Sequence, residues 1–184
     1  AMILGDNFFY GQSLSNSLLG SAKLYKGAKI LLHKVINPEL FGVAKINNKN
    51  KILEIREKPK KQISNHAITG LYFFDNNVIK YSKMLKPSKR GEIEITDLLK
   101  IYLKQNNLSA EILGRGGAWL DTGSMDDYYK TSMFVSAIEN RQGIKIACLE
   151  EIAFQNNWIS KKQIQNSIKF YGNCNYSKYL AKLI

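Results

Sequence analysis

MILGDNFFYG, residues 2–11, opens the chain with three apolar residues, a glycine and a carboxylate. Met2-Ile3-Leu4 has the composition of a buried strand, and Asp6 stands where such a strand hands over to a loop. In open α/β sheets, ligands bind at that end of the strands. The stretch predicts a layered α/β domain whose core begins almost at once and presents an acid at its rim.

Outward from there, residues 10–22 are rich in Gly and Ser, with a weak helical pattern at Leu14, Leu18 and Leu19. KILLHKVI, residues 29–36, reads as a second apolar strand closed by Asn37-Pro38. Residues 43–46 and 52–55 flank the polar turn Asn47-Asn48-Lys49-Asn50, which predicts a hairpin. AITGLYFF, residues 67–74, is a further buried strand, rich in aromatics. Leu98, Leu99, Tyr102 and Leu103 have helical spacing, with Thr96 as the expected N-cap. AEILGRGGAWLDTG, residues 110–123, reads as a short strand, a glycine break and an apolar run ending in Asp121.

The region after Asp121 is a strong helix signal. Ser124 and Asp127 are spaced as a capping box, Gly143 stands at the expected stop, and Tyr129, Met133, Ala137 and Ile138 form the expected apolar face. Short helices follow to the end. Alternating strands and helices with an antiparallel hairpin argue an α/β fold with a mixed sheet, flanking helices and a helical C-terminal tail. The expected division is residues 1–124 and a helical segment 125–184.

The 184 residues carry a net charge of +12, spread over scattered lysines with only four arginines. Nucleic-acid recognition favours clustered arginine, so a solvated lysine-rich surface is the ordinary reading, with room for a few cations around a phosphate. No apolar run has the length of a membrane span, and no signal peptide is evident. Two cysteines, Cys148 and Cys174, lack metal-ligand spacing and read as reduced thiols of a cytoplasmic protein.

Asp6 and Asp121 share one context, each following an apolar run. Two carboxylates at strand ends can cap turns through their side chains, or can share Mg²⁺ with substrate phosphates. The surrounding motifs bear on that choice. LGDN (4–7), FGV (41–43), EIREKP (54–59), TGLYFFD (69–75), KPSKRGEIEITD (86–97) and LGRGGAWLDTG (113–123) occur in one order. This series resembles the bacterial glucose-1-phosphate thymidylyltransferases, and IENRQGIKIACLEEIAF (138–154) extends the resemblance into the tail. The family's glycine-rich nucleotide loop is absent, so the resemblance implies the carboxy-terminal part of an incomplete Rossmann-like nucleotidyltransferase fold.

The resemblance also implies the chemistry. The reaction joins glucose 1-phosphate to the α-phosphorus of dTTP, giving dTDP-glucose and pyrophosphate. The attacking phosphate is largely ionised near neutral pH, its second pKa being about 6, so positioning and charge cancellation matter more than a general base. By resemblance, Asp6 and Asp121 hold Mg²⁺, and Lys58 and Arg90 are the catalytic cations on the phosphates. Gly42, Glu57 and Ile68 surround the sugar, with Glu57 accepting from its hydroxyls, and Tyr72 lies beside the sugar or the diphosphate. Phe41 stands where the family has Tyr.

A second nucleotide site is implied at Tyr10, Gly11, Gly114, Arg115 and Glu151, with Ser15 and Gln155 replacing a His and an Arg. The family's homotetramer implies self-association. The competing readings are a truncated remnant that binds sugar phosphate without catalysing, and a basic nucleic-acid module.

Overall fold

A computed structural model describes residues 1–184, which divide into two compact units, Ala1–Ser124 and Met125–Ile184. The first unit begins with β1 (Met2–Ile3), β2 (Asn7–Gly11), α1 (Leu14–Ala22) and β3 (Ala28–Lys34). Next come β4 (Val43–Ile46), β5 (Ile52–Arg56), β6 (His66–Phe74), α2 (Asn77–Ser82), α3 (Ile95–Lys104), β7 (Leu108–Ile112) and β8 (Gly117–Asp121). Six strands form one sheet in the order β5-β4-β6-β3-β7, with β1 also paired to β6. β3 and β7 run parallel and the other pairs antiparallel, so the sheet is mixed as expected. β2 and β8 form a separate two-stranded antiparallel ribbon.

Strand alternation sorts the core onto two faces. Ile30 and Leu32 of β3 point one way, joining Ile55, Ile68, Tyr72 and Leu99 under α3. Leu31, between them, points the other way and joins Leu71 and Phe73, with Leu18 of α1 and Phe9 of β2 packed against them. Helix α3 is strongly amphipathic and turns Leu98, Leu99 and Tyr102 inward.

Several expectations need correction. Met2, Ile3 and Leu4 are 38%, 56% and 41% exposed, because β1 is two residues long and pairs on one side only. Asp6 therefore follows an edge strand, and Asp121 ends a ribbon strand instead of a central one. Strand β3 stops at Lys34; Ile36 is 97% exposed, ahead of the short 3-10 turn at Pro38–Leu40. Thr96 is not the N-cap of α3. Glu94 holds the extended cap position, and Thr96 is buried inside the first turn.

The second unit contains α4 (Met125–Gln142), α5 (Leu149–Gln155), α6 (Lys161–Tyr171) and α7 (Asn175–Leu180). Ser124 directly precedes α4 and Gly143 ends it with φ +69°, a left-handed conformation that glycine adopts without strain. The apolar face expected on α4 is not a packed one: Tyr129 and Met133 are 66% and 56% exposed, and Thr131 is its only buried residue. The core of this unit is instead Cys148, Ile164, Tyr179 and Leu180, with Phe154 and Ile168 against it. Cys148 and Cys174 are free thiols. No helix is long and apolar enough to cross a membrane.

Candidate functional site

The β2–β8 ribbon brings the two acids together. Asn7 pairs with Asp121 across it, and Thr122 donates its backbone N–H to the Asp6 carbonyl at 2.7 Å. Two residues far apart in sequence thus become near neighbours. A Cβ on Gly123 would lie 3.0 Å from Asp121 Oδ1 and 3.9 Å from Asp6 Oδ2, so both carboxylates face the same space. Asp6 Oδ1 accepts from Asn7 Nδ2 at 2.8 Å, and Asp121 Oδ1 accepts from Gly123 N–H at 2.9 Å. Two hard oxygens at an open rim suit a divalent cation whose remaining ligands are phosphate and water, not a cage built from protein alone. No third His, Cys, Asp or Glu joins them.

Beside this pair lies a cleft of about 180 Å³. Gly42, Glu57, Lys58, Ile68, Tyr72 and Asp121 all line it. The sheet explains how. Ile68, Gly70 and Tyr72 alternate onto one face of β6. The ends of the β4–β5 hairpin close over that face, where Lys58 N–H donates to the Phe41 carbonyl at 3.0 Å and Ile68 N–H to the Gly42 carbonyl at 2.7 Å. Lys58 has φ +35°, a strained conformation for a non-glycine residue, and such strain is held where surrounding structure over-determines it.

Burial pushes the Glu57 carboxyl above its ordinary pKa. The Thr96 hydroxyl opposes that shift, the Glu94 charge adds to it, and Lys58 and Arg90 oppose it. Burial likewise pushes the Tyr72 phenol well up, with the Glu57 and Asp6 charges adding, so Tyr72 offers a neutral hydroxyl at the cleft. Arg90 does not line the cleft. Its guanidinium pairs with Glu92 at 3.0 Å and Glu94 at 3.4 Å, near enough to act on Glu57 through space.

The lining residues that escaped the sequence reading include Asn7, Gly70, Thr96 and Trp119. Trp119 lies two residues before Asp121 and so faces the same way along β8, packing edge-on to Phe41 with ring centroids 5.1 Å apart. A lone glycine inside AITGLYFF was a readable sign of close approach at Gly70.

The residues suggested for a second nucleotide site divide. Tyr10, Gly11 and Gly114 line a separate pocket of about 340 Å³ beside α1. Arg115 is exposed and does not line it. Glu151 belongs to the second unit, where Gln155 Nε2 donates to it at 3.1 Å. The charged group inside the pocket is Glu111. Burial opposes its ionisation, but the Ser17 hydroxyl and the Lys29 ammonium together hold its pKa below the ordinary value. Lys29 is committed to that carboxylate at 2.9 Å.

Residues 1–138 match the family described as "Nucleotidyl transferase". A glucose-1-phosphate thymidylyltransferase of Neisseria meningitidis is 44% identical over 183 residues, covering 100% of this chain and 64% of the relative. One from Mycobacterium tuberculosis H37Rv is 41% identical over 184 residues, again 64% of its length. The chain thus spans under two thirds of these relatives. A Bacillus anthracis crystal structure described as a glucose-1-phosphate thymidylyltransferase, in complex with sucrose, superposes with a TM-score of 0.60 at 43% identity, over 72% of this chain and 52% of that one. A UDP-glucose pyrophosphorylase solved with UDP-glucose shares the fold, with a TM-score of 0.63 at 24% identity over 76% of this chain and 55% of that one.

Proposed function

Because the chain belongs to the nucleotidyl transferase family, we propose that its cleft is the sugar-phosphate half of a glucose-1-phosphate thymidylyltransferase active site. In this reading residues 1–124 form the sugar-phosphate-binding part. An oxygen of glucose 1-phosphate forms a new bond to the α-phosphorus of dTTP, the bond from that phosphorus to the β-phosphate bridge breaks, and pyrophosphate leaves. Both reactants carry negative charge, so the work of the protein is to align them and offset their repulsion.

Lys58, held rigid at the hairpin end, contacts the sugar phosphate. Arg90 joins it at the rim, exchanging part of its pairing with exposed Glu92 for phosphate. Glu57, desolvated and beside Gly42, accepts from sugar hydroxyls. The flat backbone at Gly42 and Ile68 lets the hexose ring approach, and the neutral Tyr72 hydroxyl lies alongside. Asp6 and Asp121 would hold Mg²⁺, which supplies charge neutralisation on the transferring phosphoryl group.

The other partners follow from the same reading. The substrates are small molecules, not nucleic acid or membrane. The free thiols suit a reducing cytoplasm. The exposed Met125, Tyr128, Tyr129 and Met133 on α4 support a homo-oligomer, a tetramer by resemblance.

One observation carries the proposal: Gly42, Glu57, Lys58, Ile68 and Tyr72, far apart in sequence, line a single cleft together with Asp121 of the paired acids. Calorimetric titration of the chain with glucose 1-phosphate, with free glucose as control, tests it. Saturable binding of the phosphate ester that Lys58→Met weakens is expected. Equal binding of ester and glucose, or indifference to Lys58→Met, refutes the assignment.

A further inference from the structure

Asn7 sits at the point where three segments of the first unit meet. Its Oδ1 accepts from Gly70 N–H on β6 at 2.9 Å and from Trp119 Nε1 on β8 at 2.6 Å. Its Nδ2 donates to Asp6 Oδ1 at 2.8 Å. These partners fix which way round the carboxamide stands, because two N–H donors demand the oxygen and a carboxylate demands the nitrogen. The carboxamide occupies the space a side chain at position 70 would need. A Cβ there would lie 2.5 Å from both Asn7 Cγ and Nδ2 and 2.7 Å from Oδ1. Gly70 is buried in mid-strand, where a glycine otherwise weakens a sheet.

Resting on the assignment of Asp6 and Asp121 as metal carboxylates, we propose that Asn7, seated against Gly70, is the positioning residue that aims the Asp6 carboxylate at the divalent cation. Asp6 is exposed and lies in the connection between the edge strand β1 and the ribbon. A solvated carboxylate on such a connection samples several rotamers, and each one excluded beforehand removes part of the entropic cost of binding. The Asn7 amide holds one oxygen and leaves Oδ2 directed toward the space before Gly123. The same amide ties the ribbon to the sheet through Gly70 and joins the two ribbon strands through Trp119, so the support is anchored in the buried wall of the cleft. Outer residues of this kind commonly govern metal affinity about as strongly as a factor of ten to a hundred.

The test is titration of the full chain with Mn²⁺, read by the electron paramagnetic resonance signal of the free ion, with circular dichroism melts as the check on folding. Asp121→Asn must weaken binding; if it does not, the assignment of the carboxylates fails, independently of Asn7. Given that loss, Asn7→Ala and Gly70→Ala are each expected to weaken Mn²⁺ binding about tenfold or more. The double variant is expected to bind no more weakly than Asn7→Ala alone, because the methyl at position 70 then has no amide to displace. Single variants within about twofold of wild type, or a double variant whose loss is the product of the two, would overturn the proposal. Gly70→Ala changes no ligand and no hydrogen-bonding group, so it decides alone if Asn7→Ala does not fold.

Discussion

Replacing Gly42 by alanine puts a methyl group where the structure has room for none. That carbon would lie 2.9 Å from Thr96 Cγ2 and 3.1 Å from Glu57 Oε2. The two neighbours differ in how far they can yield. Thr96 is 1% exposed in the first turn of α3, whose next residues, Leu98 and Leu99, are locked into the core. It cannot withdraw without moving the helix. Glu57 ends a flexible side chain in the cleft and will give way. Overpacking of this kind costs about 1–3 kcal/mol. With part of the clash relieved through Glu57, a loss of about 1–2 kcal/mol is expected. At this chain length that lowers Tm by roughly 2–8 °C.

On the proposed assignment of Glu57 to the sugar, displacing it lowers glucose 1-phosphate affinity about tenfold, one or two hydrogen bonds' worth. Thr96→Ser removes the methyl that the introduced side chain strikes. Added to Gly42→Ala it recovers part of the lost stability, although alone it costs about 1 kcal/mol. Differential scanning calorimetry and calorimetric titration read both effects. A Gly42→Ala protein with unchanged Tm and affinity, or a Thr96→Ser change that merely adds its own loss, refutes the packing of Thr96 and Glu57 around Gly42.

Lys58→Met should reduce glucose 1-phosphate affinity about tenfold to a hundredfold, as loss of a charge-assisted contact does, while leaving Tm nearly unchanged. Glu57→Gln should stabilise the fold at neutral pH. The folded-state pKa of Glu57 is raised from its ordinary 4.5, so its contribution is present below that value and lost as pH rises through the raised one. Urea melts of wild type and variant should therefore converge on acidification below the ordinary value and separate as pH rises; parallel pH profiles would contradict this. Leu99→Ala, at a fully buried site between α3 and the sheet, should cost about 2–5 kcal/mol in the same melts.

Most of the first unit was legible because its signals are local. The hairpin at 43–46 and 52–56 follows from alternation around a polar turn, and β6 follows from an unbroken apolar run. Several of the residues suggested by the ordered motifs line one cleft, because those motifs, far apart in sequence, lie on strands that the sheet and ribbon bring together. What was misread depends on pairing partners that sequence does not display. Met2-Ile3-Leu4 looks like core by composition, yet its burial is decided by what lies on its second edge. Asn7 to Gly11 was not recognised as a strand, because its partner is β8, more than a hundred residues on. Thr96 has the chemistry of a cap, but the register of α3 turns it into the cleft wall. Trp119 and Asn7 matter through contacts across strands, which no spacing rule along the chain reports.

The split between sheet and ribbon has one more effect. Asp121 ends the ribbon and Asp6 immediately precedes it, whereas Gly42, Glu57, Ile68 and Tyr72 belong to β6 and the ends of the hairpin, so on the proposed assignment the gap separating cation from hexose is set by how those two layers are braced. Any occupant that steadies one layer lowers the entropic penalty for filling the other. Cation and sugar phosphate should then bind with positive cooperativity, each raising the affinity of its companion by an identical factor, as thermodynamic reciprocity demands.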